Sequence, residues 1–376
     1  MGLEWSESGY LALSALNVKN GYIDPDIDAH YGDQELYDRW MSGNELRSGQ
    51  VLFTTEAPMG NVAQVPAEKR FILSQRTIAF SLNQRLMIDD FLAVLLRVPK
   101  VFEALTVLSS GGTAQGISQK SMTHMSVVVP EKLAEQAAVS SLFRHLDHLI
   151  TLHQRELLKL QQFKKSMLEK MFPREGSDVP EVRFPGFTDA WEQRRLDQIA
   201  ELVGGGTPST SIPSYWDGDI DWYTPAEIGE ADNVYESIRK ITSTGFRNSS
   251  ATMLPADRTV LFTSRAGIGN SAVLRRSACT NQGFQSLVMH DQNSTYFVYS
   301  MSAAIKKQAE SKAAGSTFLE ISGKQLGKLR FRIPSPPEQQ RIGAFFERLD
   351  HLITLHQRKG EKLAQMKRSL LEKMFV

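Results

Sequence analysis

The sequence predicts the α/β class: two tandem mixed α/β modules separated by two long α-helices, the helices forming an antiparallel coiled coil with pseudo-two-fold symmetry. Three observations carry this. Residues 146–172 read LDHLITLHQRELLKLQQFKKSMLEKMF and residues 349–375 read LDHLITLHQRKGEKLAQMKRSLLEKMF, near copies whose first ten residues are identical. Within both copies apolar residues recur at steps of three and four among charged ones, the spacing of a coiled-coil seam. Ahead of both copies, short β-type runs (51–55, 127–129, 260–263, 329–333) alternate with helical stretches such as 89–98 and 296–309.

Weaker similarity extends upstream of each copy. Val51-Leu52-Phe53-Thr54-Thr55 matches Val260-Leu261-Phe262-Thr263-Ser264, Gly60-Asn61 matches Gly269-Asn270, and Ser74-Gln75 matches Asn281-Gln282. Ile117-Ser118-Gln119-Lys120 answers Ile321-Ser322-Gly323-Lys324, and Glu135-Gln136 answers Glu338-Gln339. At 376 residues the chain exceeds one ordinary domain, and the repeat makes it one plan used twice: a variable globular part, then a near-constant helix.

For the helices, Pro130 and the run Pro334-Ser335-Pro336-Pro337 precede the periodic stretches, where proline suits a helix start. The seam falls on Leu146, Leu149, His153, Leu160, Phe163 and Met167 in the first copy, and on Leu349, Leu352, His356, Leu363, Met366 and Leu370 in the second. About 34 residues at 1.5 Å each give a rod of roughly 50 Å. Such a rod cannot hide its stripe alone, and the other copy, related by a two-fold, is the simplest partner. His153 and His356 are equivalent, as are Glu156 and Lys359; these polar residues either fix register or lie on a solvated flank. No other ligand is expected within a helical turn on the same face as either histidine, so no metal is expected. Residues 173–191, PREGSDVPEVRFPGFTDAW, lack periodicity and read as a linker.

Composition narrows the function. Hydrophobic residues at 41% and charged residues at 23% are those of a globular protein, and 43 Lys plus Arg against 42 Asp plus Glu exclude a histone-like basic chain. A lone cysteine, Cys279, can form neither an internal disulfide nor a multi-cysteine zinc site, which points to a reducing, cytoplasmic setting. No apolar run approaches the roughly 18 residues of a membrane span. Met1-Gly2-Leu3-Glu4-Trp5-Ser6 fits a short acylation pattern, but no polybasic segment follows it, so no membrane attachment is expected. There is no GxxxxGK[ST] phosphate loop, no GxGxxG, no Asn-Pro-Pro-aromatic tetrapeptide and no acidic pair followed by a nuclease-type lysine. Gly204-Gly205-Gly206-Thr207-Pro208 lacks the lysine of a phosphate cradle. No catalytic constellation, cofactor or metal is therefore expected.

The remaining candidates are binding residues. Residues 204–228, GGGTPSTSIPSYWDGDIDWYTPAEI, read as a long polar loop offering Thr207, Ser209, Thr210, Tyr215 and Trp216. Hydroxyls at a glycine-rich turn can meet phosphates and base edges, although such a loop can also be purely structural. Arg265 follows a β-type run into a glycine turn, and the equivalent position is Glu56. Arginine pairs with guanine and carboxylates accept from cytosine, so the switch suits modules that read different bases; a surface ion pair is the competing reading. The matched positions Asn270, Gln282 and Lys324, with Asn61, Gln75 and Lys120, complete the DNA-binding candidates.

The order of variable module, constant helix, variable module, constant helix resembles the specificity subunit of type I restriction-modification enzymes. The second half carries the resemblance, in RFPGFTDAWEQRRLDQI, GGGTPSTSIPSYWDGDIDWYTPAEI, SRAGIGNSAV, PSPPEQQRIGAFFERLD and the terminal LEKMF. It implies a first target-recognition domain at 1–130, a helical region at 131–172, a linker at 173–190, a second target-recognition domain at 191–334 and a second helical region at 335–376. No counterpart of residues 183–215 precedes residue 1, so the first domain is expected to lack its opening linker, first helix and polar loop. The resemblance also implies a non-catalytic subunit that reads a bipartite double-stranded DNA site and binds two modification subunits, which carry the methyl donor, and restriction subunits. Near-zero net charge predicts weak, salt-sensitive DNA binding by the chain alone. A coiled-coil scaffold without a nucleic-acid role is the competing reading; it explains the helices but not two divergent loop-rich modules.

Overall fold

The computed structural model describes residues 5–109, 116–265, 267–313 and 319–375. Residues 1–4, which hold most of the acylation pattern, lie outside the described residues. The chain divides into two compact units, one of residues 1–154 with 358–376 and one of residues 155–357.

The first unit contains β1 (Tyr10–Leu13), β2 (Val18–Lys19), β3 (Tyr22–Ile23), β4 (Tyr31–Gly32), α1 (Gln34–Met41), β5 (Val51–Thr54), β6 (Val62–Gln64), β7 (Phe71–Leu73), β8 (Thr77–Ala79), α2 (Asp89–Leu95), α3 (Pro99–Val107) and α4 (Gln119–Thr123), then the front of α5 (Leu133–Lys170). One sheet runs β4-β1-β7, with β1 and β7 parallel, and another runs β6-β5-β8, all antiparallel. The run Val-Leu-Phe-Thr of β5 is buried at every position, as a strand covered on both faces must be. Helix α1 begins where Asp33 Oδ1 accepts from Leu36 N at 2.8 Å, capping an otherwise unpaired backbone donor.

The second unit contains the rear of α5, then β9 (Glu192–Arg195), β10 (Ala200–Gly204), β11 (Trp216–Tyr223), β12 (Asn233–Val234), β13 (Arg239–Ile241), α6 (Ser243–Arg247), β14 (Thr259–Phe262), β15 (Ser271–Leu274), β16 (Cys279–Thr280), β17 (Gln285–Met289), α7 (Thr295–Ser300), α8 (Ser302–Lys312), α9 (Gly323–Gly327), β18 (Arg330–Ile333) and the front of α10 (Pro336–Met374). The sheet β13-β11-β16 repeats β4-β1-β7 with the same strand senses. The core β15-β14-β17 repeats β6-β5-β8, widened by β12 and β10 into five strands, and β9 pairs with β18. Among the described residues of the first unit nothing corresponds to β9 or β10.

Three expected elements change. Residues 127–129 were expected as a strand but are irregular, while the equivalent residues of β18 gain β9 as a partner; the β-branched run has no ladder to join. The stretch 296–309 is two helices broken at Met301. Residues 204–228 are not one open loop: they hold β11 and two short 3-10 turns, Pro213–Tyr215 and Pro225–Glu227, because Trp216 and Trp222 are buried there. The expected linker is also packed, with Trp191 buried and Arg183 bonding Glu338 through two nitrogens, at 2.7 and 2.8 Å.

Each unit contains an antiparallel stretch of helix pair. In the first, Phe143 and Leu146 of α5 pack on Leu363, Leu370 and Leu371 of α10, and Asp147 pairs with Lys367. In the second, Leu160, Met167 and Met171 of α5 join Ile342, Phe346 and Leu349 of α10, and Lys164 Nζ lies 2.5 Å from Asp350 Oδ1. Asp147 and Asp350 are equivalent in the two copies, as are Lys164 and Lys367, so the same bridge is made twice with its partners exchanged. This ion pair occupies the inner face and shifts the seam. Leu149, Leu352, Phe163 and Met366 are 40%, 42%, 46% and 45% exposed, and their neighbours Ile150, Ile353, Lys164 and Lys367 turn inward. Phe163 still meets the Phe345 ring edge-on. Leu146 and Leu349 are buried, and His153, His356, Leu160, Leu363, Met167 and Leu370 are half-buried.

Both helices are tied to their modules by a buried glutamine. Gln136 donates to the carbonyls of Pro130 and Leu86, at 2.8 and 2.9 Å, and accepts from Ile88 N at 3.1 Å. Gln339 donates to Pro334 O and Asn293 Oδ1, at 3.0 and 3.3 Å, and accepts from Ser294 N at 3.3 Å. Both sites use both donors of the amide and one of the acceptor positions of its oxygen, and align the module with the first turn of its helix.

Candidate nucleic-acid interface

In the second unit β14 runs into a turn closed by Thr263, whose Oγ1 donates to Gly267 O at 2.6 Å and accepts from Asn270 N at 3.0 Å. Gly269 has a positive φ of 86° and approaches Lys306 so closely that a Cβ would lie 2.5 Å from its Cγ. The turn leaves Arg265 exposed. Two other segments arrive at its base: Ser264 N donates to Gly283 O at 2.8 Å, and Ile321 N donates to Ser264 O at 3.1 Å. The first brings Gln282, exposed and accepting from Thr207 Oγ1 at 2.6 Å. The second brings Ser322, which caps α9, and exposed Lys324 one residue further into that helix. Thr207, Arg265, Gln282 and Lys324 therefore converge at one end of one strand.

The polar segment is held against this end by its tryptophans. Trp222 Nε1 donates to Gly206 O at 2.8 Å and Trp216 Nε1 to Ser209 O at 3.1 Å. Gly205 is required here, because a Cβ would sit 1.9 Å from Asn281 O. Trp216, at 8% exposure, is thus a strap rather than a reader, a correction to the sequence expectation. Ser209 and Thr210 are exposed, with Ser209 Oγ 2.8 Å from Ser211 Oγ, and Tyr215 is half-buried with its carbonyl accepting from Thr242 N. The Arg239 guanidinium lies 3.8 Å from the Trp216 ring centroid. Arg239 is exposed, and with Lys306, which reaches Asn270 Oδ1 at 3.4 Å, it is a cation that sequence reasoning missed. Strand pairing Arg239↔Trp222 would have been the signal, and it is non-local.

The first unit builds the same end from the same backbone bonds. Thr54 N donates to Asn61 O as Thr263 N does to Asn270 O, Thr55 N pairs with Arg76 O as Ser264 N does with Gly283 O, and Ile117 N donates to Thr55 O. Glu56, Gln75 and Lys120 are brought together accordingly. Glu56 is bound by Arg76, Nε to Oε1 at 2.7 Å, whereas Arg265 has no carboxylate partner among the described residues. Asn61 is turned inward and donates to Val18 O at 2.9 Å, so its side-chain amide is occupied by the fold.

Burial pushes the Cys279 thiol up to about 12, leaving it a small apolar core residue rather than a nucleophile. Among the described residues no group of three or more His, Cys, Asp and Glu side chains could hold a metal ion, and no helix is long and apolar enough to cross a membrane.

The family model for the type I restriction modification DNA specificity domain matches residues 42–162 and 188–365. The chain belongs to this family. Among its relatives, the type I restriction enzyme MjaIX specificity subunit of Methanocaldococcus jannaschii is 33% identical over 190 residues, which are 50% of this chain and 44% of that protein. The chain therefore spans a little under half of that relative's length. A putative MjaX specificity subunit from the same organism is 22% identical over 335 residues, 86% of this chain and 76% of that one. The crystal structure of a type I restriction-modification S subunit from M. genitalium shares the fold, with a TM-score of 0.64 at 15% identity, covering 100% of this chain and 92% of that one. Within the specificity family's matched regions lie Glu56, Gln75 and Lys120, and in the second region Thr207, Arg265, Gln282 and Lys324.

Proposed function

We propose that the chain is the non-catalytic DNA-recognition subunit of a type I restriction-modification complex, reading a bipartite double-stranded site with one half assigned to each module. One observation carries the reading. Both modules bring side chains to the same end of the same strand through the same backbone bonds, yet the side chains differ, with Glu56 and Arg265 at equivalent places. A scaffold would have no use for such a constant frame with variable tips. Arginine in the major groove favours guanine, a carboxylate favours cytosine, and Lys324, Lys306 and Lys120 suit phosphate contacts.

In this reading the helix pair sets the unread spacer between half-sites and scaffolds the restriction subunits and the modification subunits, the latter carrying the methyl donor and supplying the remaining phosphate contacts. Inserting seven residues in register into both α5 and α10 lengthens the pair by about 10 Å, equal to roughly three base pairs. Methylation profiling in cells carrying the whole complex is expected to show both half-sites unchanged and the spacer longer. An unaltered spacer would remove the ruler, and absent methylation with wild-type assembly would count against DNA reading altogether.

A further inference from the structure

The sheet β13-β11-β16 carries an exposed cation at the end that faces the candidate interface. Arg239 opens β13 and stands opposite Trp222 of β11, which on its other side pairs with Cys279 of β16. Three residues past Cys279 the chain reaches Gln282, so Arg239 lies at the same end of the sheet from which β16 leaves for Gln282. The polar segment is fastened to the same strand, Gly206 O accepting from Trp222 Nε1 and Ser209 O from Trp216 Nε1.

The guanidinium is placed by a buried platform. Trp216 and Trp222 meet edge to face with centroids 5.1 Å apart, and Arg239 Cζ lies 3.8 Å from the first ring centroid and 5.7 Å from the second. Among the described residues no carboxylate lies within ion-pair distance of it. Asp221 is held by Lys240 and Arg276, Glu236 by Lys240, and Glu227 accepts from Thr224 N and Ile238 N. A cation over an aromatic ring keeps the donors at its rim, and its rotamer freedom is already given up before a ligand arrives.

We propose that Arg239 is a specificity-determining residue of the second module, reading a guanine through paired N–H bonds to O6 and N7 at a position other than the one addressed by Arg265. This rests on the reading of that module as a DNA-recognition module. A phosphate contact needs only positive charge, which a mobile lysine supplies. A planar fork fixed on an indole adds direction, and direction is what distinguishes one base edge from another. Two strand spacings separate Arg239 from β16, about 10 Å or the rise of roughly three base pairs, which gives the fork a base position of its own. In the first unit the strand in the place of β13 is β4, which offers Tyr31 and Gly32 and no cation, so the effect is confined to one half-site.

The test uses the whole complex carrying Arg239→Ala or Arg239→Lys. Methylation profiling in cells gives the site of each form, and binding to duplexes with single base changes in that site is measured over a series of salt concentrations. Both variants are expected to lose at least about tenfold in discrimination at one G·C position of one half-site, distinct from the position relaxed by Arg265→Ala. Hydrogen exchange in residues 216–223 and 239–241 is expected to match the wild type. Wild-type discrimination in Arg239→Lys, with Arg239→Ala weakening all duplexes alike and lowering the salt slope by about one, would make Arg239 a phosphate contact and overturn the proposal. Unchanged profiles in both variants would overturn it, as would loss at every position of the half-site together with faster exchange in these strands, because Arg239 would then act through the fold. A wild-type complex without sequence preference would remove DNA reading itself, whereas a wild-type preference that both variants retain would remove only the role of Arg239.

Discussion

The two units share a skeleton and differ in what they hang on it. Backbone bonds at the turn after β5 recur bond for bond after β14, and the sheets β4-β1-β7 and β13-β11-β16 repeat in order and sense. Side chains at the same places diverge: Glu56 against Arg265, and Phe102 packed on Gly60 where Lys306 packs on Gly269. Backbone geometry fixes where an exposed side chain at a strand end stands, and identity at that place is then free to vary without disturbing the core, since such tips carry little packing energy.

The helix pair shows the same division, and breaking it gives the largest expected effect. Asp350 is 2% exposed, bonded by Lys164 and by Tyr296 Oη at 2.8 Å, whereas Asp147, between Arg97 and Lys367, has a side chain 32% exposed. Asp350→Ala leaves the buried Tyr296 hydroxyl without its partner and the partly buried Lys164 ammonium with only Asp232, 3.6 Å away, and is expected to cost about 3 kcal/mol, against about 1 kcal/mol for Asp147→Ala. Urea denaturation, with hydrogen exchange reading each unit separately, checks this. Equal losses would mean that the two bridges are equivalent in environment as well as in sequence. The glutamines sharpen the comparison from the other side: Gln136→Ala and Gln339→Ala each strip three bonds from a buried amide's surroundings and are expected to cost about 2 kcal/mol alike. A difference above about 1 kcal/mol would show that the modules are anchored differently.

The repeat, the long helices and the strand-end positions were legible because each depends on local spacing or on one stretch of sequence matching another. Leu149 and Ile150 are adjacent apolar residues, so a step of three or of four from Leu146 fits equally well, and only the Asp147–Lys367 pair across the seam selects Ile150. Trp216 looked available because an aromatic in a polar stretch carries no mark of burial; its core position comes from Trp222 and Ile241 on neighbouring strand positions. Arg239 and Lys306 were missed for the same reason, each reaching the interface from an element distant in sequence. Residues 127–129 have strand propensity and no strand to pair with, an outcome that depends on residues elsewhere in the unit.

Substitution at the proposed reading tips should separate the units functionally with almost no cost in stability. Arg265 is exposed and has no ion-pair partner among the described residues, so Arg265→Ala should leave the denaturation midpoint unchanged and lose about 1–2 kcal/mol of base discrimination in one half-site only. Glu56→Ala frees Arg76 and should relax the other half-site alone. Methylation profiling resolves the halves. Relaxation of both half-sites by either change would end the assignment of one module to each half.

The smallest effect is in pH dependence, and its sign distinguishes the units. Burial holds the Asp350 carboxyl above the usual aspartate range, Lys164 and the Tyr296 hydroxyl offsetting only part of this while the Asp232 charge adds to it. The folded second unit therefore binds that proton more tightly than the unfolded chain does. The stability this contributes is fully present below the ordinary aspartate pKa, about 3.9, and is lost as pH rises through the raised value of Asp350. Asp350→Asn keeps the shape and the bond to Tyr296 but removes the titration, so its denaturation midpoint should vary less with pH across that window than the wild type's. Asp147→Asn should leave the slope of the second unit as it was. A wild-type second unit that gains stability with rising pH through the window would mean that Lys164 dominates over burial, and that Asp350 behaves as an ordinary paired carboxylate.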